Sequence, residues 1–209
     1  VAGELRGVRS YTTALVVLPD GRLVTGDATG EVRLWNMAHG GKPTVEWQVG
    51  DRSVLALAVL PDGRLADVDE YDNFSEEGSV EVWDVSGKIP TGTWPKLSGT
   101  TDCRCGVYAL AVLASGRLAA GCADRMVRIV DADTHTVVAT LAGHKAPVVA
   151  LAGLPDGRLA SGSVDWVVRL WDVSRPQGRS PKLVGHTAAV RALAVLADGR
   201  LASGSDDKS

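Results

Sequence analysis

The chain has 209 residues, of which 45% are hydrophobic, and 22 basic side chains against 25 acidic ones give a formal net charge of -3. This balance provides no general attraction to nucleic acid or to an anionic membrane, so we expect neither as a partner. No apolar stretch approaches the ~20 residues that cross a bilayer, and no apolar run follows a basic start as in a signal peptide. The chain has an odd number of cysteines, namely Cys103, Cys105 and Cys122. A single residue separates the first two, whereas paired zinc ligands are usually separated by two residues or more. We therefore expect reduced thiols in an intracellular, cytoplasmic protein, without membrane insertion, metal or cofactor.

A short pattern divides the chain into repeats. Gly-Arg-Leu preceded by Asp or Ser starts at intervals of 42, 53, 41 and 42 residues, at Asp20, Asp62, Ser115, Asp156 and Asp198. Such a period indicates stacked units that share one core. We interpret residues 1–209 as one domain with repeats at 5–43, 44–96, 97–137, 138–179 and 180–209, the last of them truncated.

The first repeat shows how each unit is built. Its runs from Thr12, Leu23 and Glu31 are short, rich in Val, Leu and Thr, and bounded by Gly, Pro or Asp. This punctuation is typical of strands, and Asp20-Gly21 between two such runs predicts a tight hairpin turn. A more polar run from Thr44 supplies a fourth strand. Four antiparallel strands in ~42 residues predict one blade of a β-propeller, so the predicted fold is all-β.

Later repeats depart from this length. The second repeat has six additional residues between its second and third strands, where segment 67–77 contains six carboxylates together with Tyr71 and Phe74. Five further residues lengthen the link to the third repeat. The fourth repeat is complete, and the fifth stops before its third strand.

The residues of the fourth repeat carry a family resemblance. It contains Gly143-His144, a Leu-Ala-Ser-Gly-Ser strand over 159–163, Asp165 and Trp171-Asp172. This set resembles the WD-repeat family of β-propellers, and the resemblance covers essentially the whole chain. It implies a hydrogen-bonded tetrad within the blade, made of His144, Ser161, Asp165 and Trp171. It also implies partial tetrads of Thr25 and Trp35 in the first repeat and of His186, Ser203 and Asp207 in the fifth.

The first three repeats lack the His of the tetrad, so we expect packing to hold them. WD-repeat propellers usually close seven blades, whereas this chain holds four repeats and half of a fifth. We interpret the chain as an incomplete ring, either part of a longer polypeptide or an arc completed by another chain. A closed five-blade ring is the alternative. An open arc would expose unpaired strand edges.

Some of these residues also suit other chemistry. His144, Asp165 and a Ser could form a nucleophilic triad, but the set recurs within the repeats, which favours a structural role. The carboxylates of 67–77 could bind calcium, although their spacing misses the EF-hand pattern, which favours a solvated loop.

Arginines recur at two positions of the repeat. One group follows the Asp-Gly turn and could bind phosphate, but the neighbouring Asp residues favour local neutralisation: Arg22, Arg64, Arg117, Arg158 and Arg200. The other group, Arg33, Arg128 and Arg169, follows the alternation of the third strands and is expected to face outward between blades.

The prediction for function is a non-catalytic scaffold that presents top-face loops to a peptide or protein partner. Rigid loops on several blades would form the surface. Trp166 is unusual, because it occupies an exposed turn, where either a partner covers it or it leans on the next blade. The other candidate contacts, some of them suited to an acidic or phosphorylated segment, are Arg52, Tyr71, Phe74, Arg104, Arg125 and Lys145. The alternative is a building block of a large multiprotein assembly that binds through blade edges and sides.

Overall fold

A computed structural model describes residues 9–36, 41–69, 80–86, 106–134 and 136–209. These residues form strands and turns, without a helix in the described ranges. Their contacts divide them into two compact units, one with the described residues up to 69 together with 80–86, and one with those from 106 onward. The candidate contacts Tyr71, Phe74 and Arg104 lie outside the described residues.

The first unit contains two antiparallel sheets, which we call blades one and two. Blade one has four strands in chain order: β1 (Thr12–Val17), β2 (Leu23–Asp27), β3 (Glu31–Trp35) and β4 (Pro43–Gln48). Blade two has three described strands: β5 (Val54–Val59), β6 (Leu65–Asp69) and β7 (Val80–Trp83). The two blades share one apolar core, in which Val24, Val54 and Leu65 are fully buried.

The second unit contains blades three and four and a hairpin that we call blade five. Blade three comprises β8 (Val107–Val112), β9 (Leu118–Cys122), β10 (Val127–Asp131) and β11 (Thr136–Leu141). Blade four comprises β12 (Val148–Gly153), β13 (Leu159–Ser163), β14 (Val168–Trp171) and β15 (Lys182–Leu183). Blade five comprises β16 (Val190–Val195) and β17 (Leu201–Ser205). Since β15 lies in the fifth predicted repeat but pairs with β14, consecutive repeats interlock.

The predicted hairpin turns are confirmed. In the first, the Leu18 N–H donates to the Arg22 carbonyl at 2.8 Å, and Gly21 has a φ of 84°. Glycine adopts this left-handed backbone without a steric penalty, which is why the turn needs it. The same hydrogen bond recurs in the other four turns. We call this side of each sheet the hairpin end and the opposite side, where the second strand passes into the third, the turn end.

The first strand of every blade also contains an irregularity that composition does not reveal. In β12 the register shifts between Val148 and Ala150, and an equivalent shift occurs in each of the other four first strands. Beside it, the Val164 N–H donates to the Pro147 carbonyl at 3.0 Å. This bulge bends the strand. It therefore brings the segment that precedes the strand, which carries His144, over the turn that carries Asp165.

Candidate functional site

Blade four joins the four predicted tetrad residues in one chain of hydrogen bonds. Trp171 donates its indole N–H to the Ser161 hydroxyl oxygen at 2.7 Å. That hydroxyl lies 2.7 Å from Nε2 of His144, and Nδ1 of His144 lies 3.0 Å from an oxygen of Asp165. Every polar group has a partner if Ser161 donates to Nε2 and His144 donates from Nδ1. The tetrad thus connects the third strand to the segment that precedes the blade.

The electrostatics of the tetrad favour a neutral imidazole. Burial lowers the pKa of His144, although Asp165 opposes this effect. Burial would raise the pKa of Asp165, but hydrogen bonds from the Lys145 backbone N–H and from His144 outweigh it, so this pKa is lowered. Ser161 is fully buried, and its oxygen already contacts both Trp171 and His144. A substrate has no access to this hydroxyl, so the geometry argues against a nucleophilic triad.

Blade five repeats half of this arrangement. His186 lies 2.9 Å from Asp207 through Nδ1 and 2.8 Å from the Ser203 hydroxyl through Nε2. Within the described chain no third strand covers β17, so Ser203 is exposed and receives no indole. The contacts among His, Ser and Asp are therefore present in blade five without an indole donor.

Blade one does not rely on packing alone, so that expectation is wrong. Trp35 donates its indole N–H to the Thr25 hydroxyl at 2.8 Å, as the partial tetrad implies. In addition, Arg33 forms an ion pair with Asp27 at 2.6 Å and another with Glu31. Burial would raise the pKa of Asp27, but hydrogen bonds from Thr29 and Arg33 lower it. A buried ion pair replaces the His–Asp pair here.

In blades two and three, other polar contacts take the place of the tetrad hydrogen bonds. In blade two, Trp83 donates to the Asp67 carboxyl at 2.5 Å, where blades one and four offer a hydroxyl. Burial, with Glu81 and Asp69 nearby, raises the pKa of Asp67 to about 8, although the Trp83 hydrogen bond opposes it. In blade three, Arg128 forms an ion pair with Asp124 at 2.6 Å.

The third-strand arginines face inward, so the expectation that they face outward is wrong. Arg33 is only 1% exposed, and Arg128 and Arg169 are also buried. Arg169 donates to the Gly143 carbonyl at 2.6 Å and to the Ser180 hydroxyl at 2.7 Å, and it lies over the Trp171 ring. Strand alternation predicts a change of face but not whether that face meets solvent, and here both faces of the third strand are covered.

At the turn end, one position has a left-handed backbone in four of the blades. Gly30, Arg125, Trp166 and Lys208 follow the residue at the tetrad Asp position, and all have positive φ, with Trp166 at 69°. In blade one the position requires glycine, because an added Cβ would lie 2.7 Å from the Arg52 carbonyl oxygen. Arg52 itself is partly buried. Trp166 is 54% exposed, so its indole does not gain full cover from the next blade.

Comparison with known proteins identifies the repeats. The family model described as "WD domain, G-beta repeat" matches residues 135–172 and 179–209. These two segments are WD repeats. The first of these segments contains His144, Ser161, Asp165 and Trp171, and the second contains the partial set of blade five. No curated protein matches the sequence.

Solved structures extend the likeness to the whole chain. The WD40 β-propeller domain of Doa1 superposes with a TM-score of 0.78 and 21% identity, covering 98% of this chain and 64% of that one. The chain is thus all-β and built from antiparallel propeller blades, and it spans less than two thirds of the chain it matches. Such propellers serve many purposes, so the fold alone does not specify a function, which depends on the residues at the surface. In this family the fold generally mediates protein–protein interaction.

The charges of the repeats differ between the two ends of the sheets. At the hairpin end each turn arginine pairs with an aspartate, such as Arg158 with Asp156 at 2.6 Å, and the same holds for Arg22, Arg64, Arg117 and Arg200. Local neutralisation by the turn aspartate is therefore confirmed for four of these arginines, whereas Arg117, which follows Ser115, pairs with Asp131 at 3.8 Å. At the turn end of the second unit, Arg125, Lys145 and Lys208 are exposed.

The described ranges contain neither a metal-ion cluster nor a membrane-spanning helix. No group of three His, Cys, Asp or Glu residues is arranged there to hold a metal ion. No helix of the described residues is long and apolar enough to cross a membrane.

Proposed function

We propose that this WD-repeat chain is a non-catalytic protein-interaction scaffold that binds a peptide or protein partner at the turn end of its second unit. The observation that carries the proposal is Trp166, a large aromatic side chain that is 54% exposed on a left-handed backbone with a φ of 69°. A left-handed backbone costs an L-residue about 1 kcal/mol of folding free energy. Packing of the indole does not offset this cost in full, because the side chain is largely exposed. A strained residue that fills no core supports a role in contact. Tryptophan is also enriched among residues that dominate binding energy.

Hydrogen bonds to Asp165 hold the turn that carries Trp166 in place. Asp165 accepts the backbone N–H groups of Lys145 at 2.7 Å and of Val167 at 3.1 Å, in addition to the His144 contact. These bonds fix the turn before a partner arrives. A preformed surface loses less conformational entropy on binding, which supports a scaffold function. The tetrad in this proposal is structural, and the protein works in the cytoplasm as a member of a larger complex.

Affinity capture with a matched pair of variants tests this proposal. The tagged chain, its Trp166→Gly variant and its Tyr108→Thr variant are used to capture proteins from the same cell extract, which are quantified by mass spectrometry. Tyr108 is a suitable control because it is an exposed aromatic residue in β8 of the same unit. We expect Trp166→Gly to lose specific partners that Tyr108→Thr retains. Equal recovery with all three chains would count against the turn end as the binding surface.

A second candidate function is assembly through the side of blade one. Leu15 in β1 is 56% exposed, whereas Leu57, at the same position of blade two, is 8% exposed. Val17, two residues further along β1, and Tyr11, just before β1, are also exposed. Contiguous exposed apolar side chains mark interaction surfaces. Sedimentation velocity tests the idea: association that Leu15→Glu abolishes supports it, and a monomer that captures no partner through this face excludes it.

A further inference from the structure

We infer that the turn end binds an acidic peptide segment, an inference that rests on the proposed function. The surface in question, which we call the turn surface, consists of Arg125, Lys145, Trp166 and Lys208. All four residues belong to the second unit, and all are exposed. Three of them occupy the left-handed position of blades three, four and five.

The cations of the turn surface have no anionic partner in the described part of the chain. The ion pairs at the turn end of these blades use other basic groups, namely Arg128 with Asp124 and Arg191 with Asp206. The only described hydrogen bond of the Arg125 guanidinium is a long one, at 3.4 Å, to the carbonyl of its neighbour Asp124. The ammonium groups of Lys145 and Lys208 enter none of the described ion pairs. Positive charge is therefore available at this surface.

The carboxylates at the same end are already engaged by groups within their own blades. Asp124 accepts two hydrogen bonds from Arg128, and Asp165 accepts from His144 and from the backbone. Asp207 accepts from the Thr187 backbone and from Ser209, in addition to its contact with His186, and Asp206 pairs with Arg191. The negative charges are thus offset by neighbouring donors, while the positive charges point to solvent. This asymmetry favours an anionic ligand.

The composition of the second half strengthens the asymmetry. Residues 97–209 contain 13 Lys and Arg against ten Asp and no Glu, a formal net charge of +3. Residues 1–96 contain nine Lys and Arg against 15 Asp and Glu, a net charge of -6. The overall charge of -3 conceals this division. A partner drawn by charge would therefore approach the second half of the chain.

The turns that form the surface lie side by side in consecutive blades. An added Cβ at Gly121 would lie 3.0 Å from a side-chain carbon of Val148 in the next blade, and one at Gly162 would lie 2.8 Å from Val190. Each of these glycines comes just before a turn, so the turn of one blade is close to the first strand of the next. An extended peptide that crosses the blades would meet a cation, the Trp166 indole and a second cation. Acidic side chains suit the cations, and an apolar or aromatic residue suits Trp166.

Fluorescence anisotropy tests the inference. The probe is a fluorescein-labelled peptide of Asp and Glu with one central Phe, compared with the same peptide carrying Asn and Gln instead. We expect the folded chain to bind the acidic peptide with an affinity that falls as salt rises. The double variant Arg125→Glu/Lys145→Glu should weaken binding by about tenfold or more. Lys208→Glu changes a cation of a different blade, and we expect it to weaken binding of the acidic peptide independently.

The control changes the same net charge at the opposite end of the same two blades. Arg117→Glu/Arg158→Glu reverses hairpin-end arginines that pair with Asp131 and Asp156. We expect it to change the affinity less than about twofold. An equal loss in both double variants, or equal binding of the neutral peptide, overturns the inference. Tighter binding of a single-stranded oligonucleotide at the same residues also overturns it. If acidic peptides do not bind but Trp166→Gly still loses captured partners, the proposed function stands and this inference fails.

Discussion

The indole N–H of Trp171 donates to the hydroxyl of Ser161 at 2.7 Å, and this buried oxygen also faces His144. One side chain therefore satisfies two buried polar groups. We predict that Ser161→Ala lowers the free energy of unfolding by about 3 kcal/mol, because both partners lose a hydrogen bond without gaining water. Chemical denaturation followed by tryptophan fluorescence measures the change.

The matched control for this substitution is Ser203→Ala in blade five. Ser203 makes the same contact with its histidine but is exposed and receives no indole. Water can replace the lost bond, so we expect a cost of about 1 kcal/mol or less. Equal costs at the two positions would show that the Trp171 bond contributes little.

The turn at Trp166 predicts a stabilising substitution. Trp166→Gly should raise the free energy of unfolding by about 1 kcal/mol, because glycine adopts a φ of 69° without penalty. The reverse change at the equivalent position, Gly30→Ala, should lower it, because the added Cβ meets the Arg52 carbonyl at 2.7 Å. Thermal unfolding by circular dichroism compares the two. Destabilisation by Trp166→Gly would mean that the indole packs more strongly than its exposure indicates.

Asp67 gives blade two a specific dependence on pH. Its pKa is about 8 in the folded chain, whereas an unfolded Asp titrates near 3.9. Between these values the folded state holds a proton that the unfolded state has lost. The free energy of unfolding therefore falls as pH rises through this range, by up to ~1.4 kcal/mol per unit.

The pH effect is measured as the difference between the parent chain and Asp67→Asn. Burial lowers the pKa of His144, so this residue lowers the free energy of unfolding as pH falls through ~6.5 and below. This dependence on pH is opposite to that of Asp67. The difference between variant and parent removes this contribution. We expect the variant to gain relative stability steadily up to pH ~8, the folded-state value of Asp67. A constant difference across the range would show that Asp67 is ionised in the folded chain.

The Arg33–Asp27 pair predicts a large cost for removing one partner. Arg33→Met should lower the free energy of unfolding by about 3–5 kcal/mol, since it leaves Asp27 buried without its cation. Arg22→Met, which removes a partly exposed arginine paired with the exposed Asp20, should cost less than about 1 kcal/mol. Urea denaturation of both variants provides the comparison. Similar values would indicate that hydrogen bonds from Thr29 suffice to hold Asp27.

Much of this architecture is visible in the sequence. The hairpin turns follow from Asp20-Gly21 and its copies, because positive φ there requires glycine. The tetrad geometry of blade four matches the residues that carry the WD resemblance. Both features can be predicted because they depend on particular residue types at particular positions of a strand or turn, and those residue types seldom occur there for another reason.

Other features escaped prediction for physical reasons. The inward placement of Arg33 depends on a neighbouring sheet that covers its face, which strand alternation does not encode. Asp67 stands where other blades have a hydroxyl, and its protonation depends on burial rather than on spacing. The bulge in each first strand is a shift of register, so it leaves no trace in composition. Tertiary context decides all three.

The left-handed turn position also bears on how such a chain diversifies. Arg125, Trp166 and Lys208 share nearly the same backbone, with φ between 69° and 75°, and none of the three is buried. Exchange of one L-residue for another at these sites leaves the backbone cost nearly unchanged and disturbs no core. After a repeat is duplicated, a single codon change there can alter what the surface recognises while the blade beneath it stays the same.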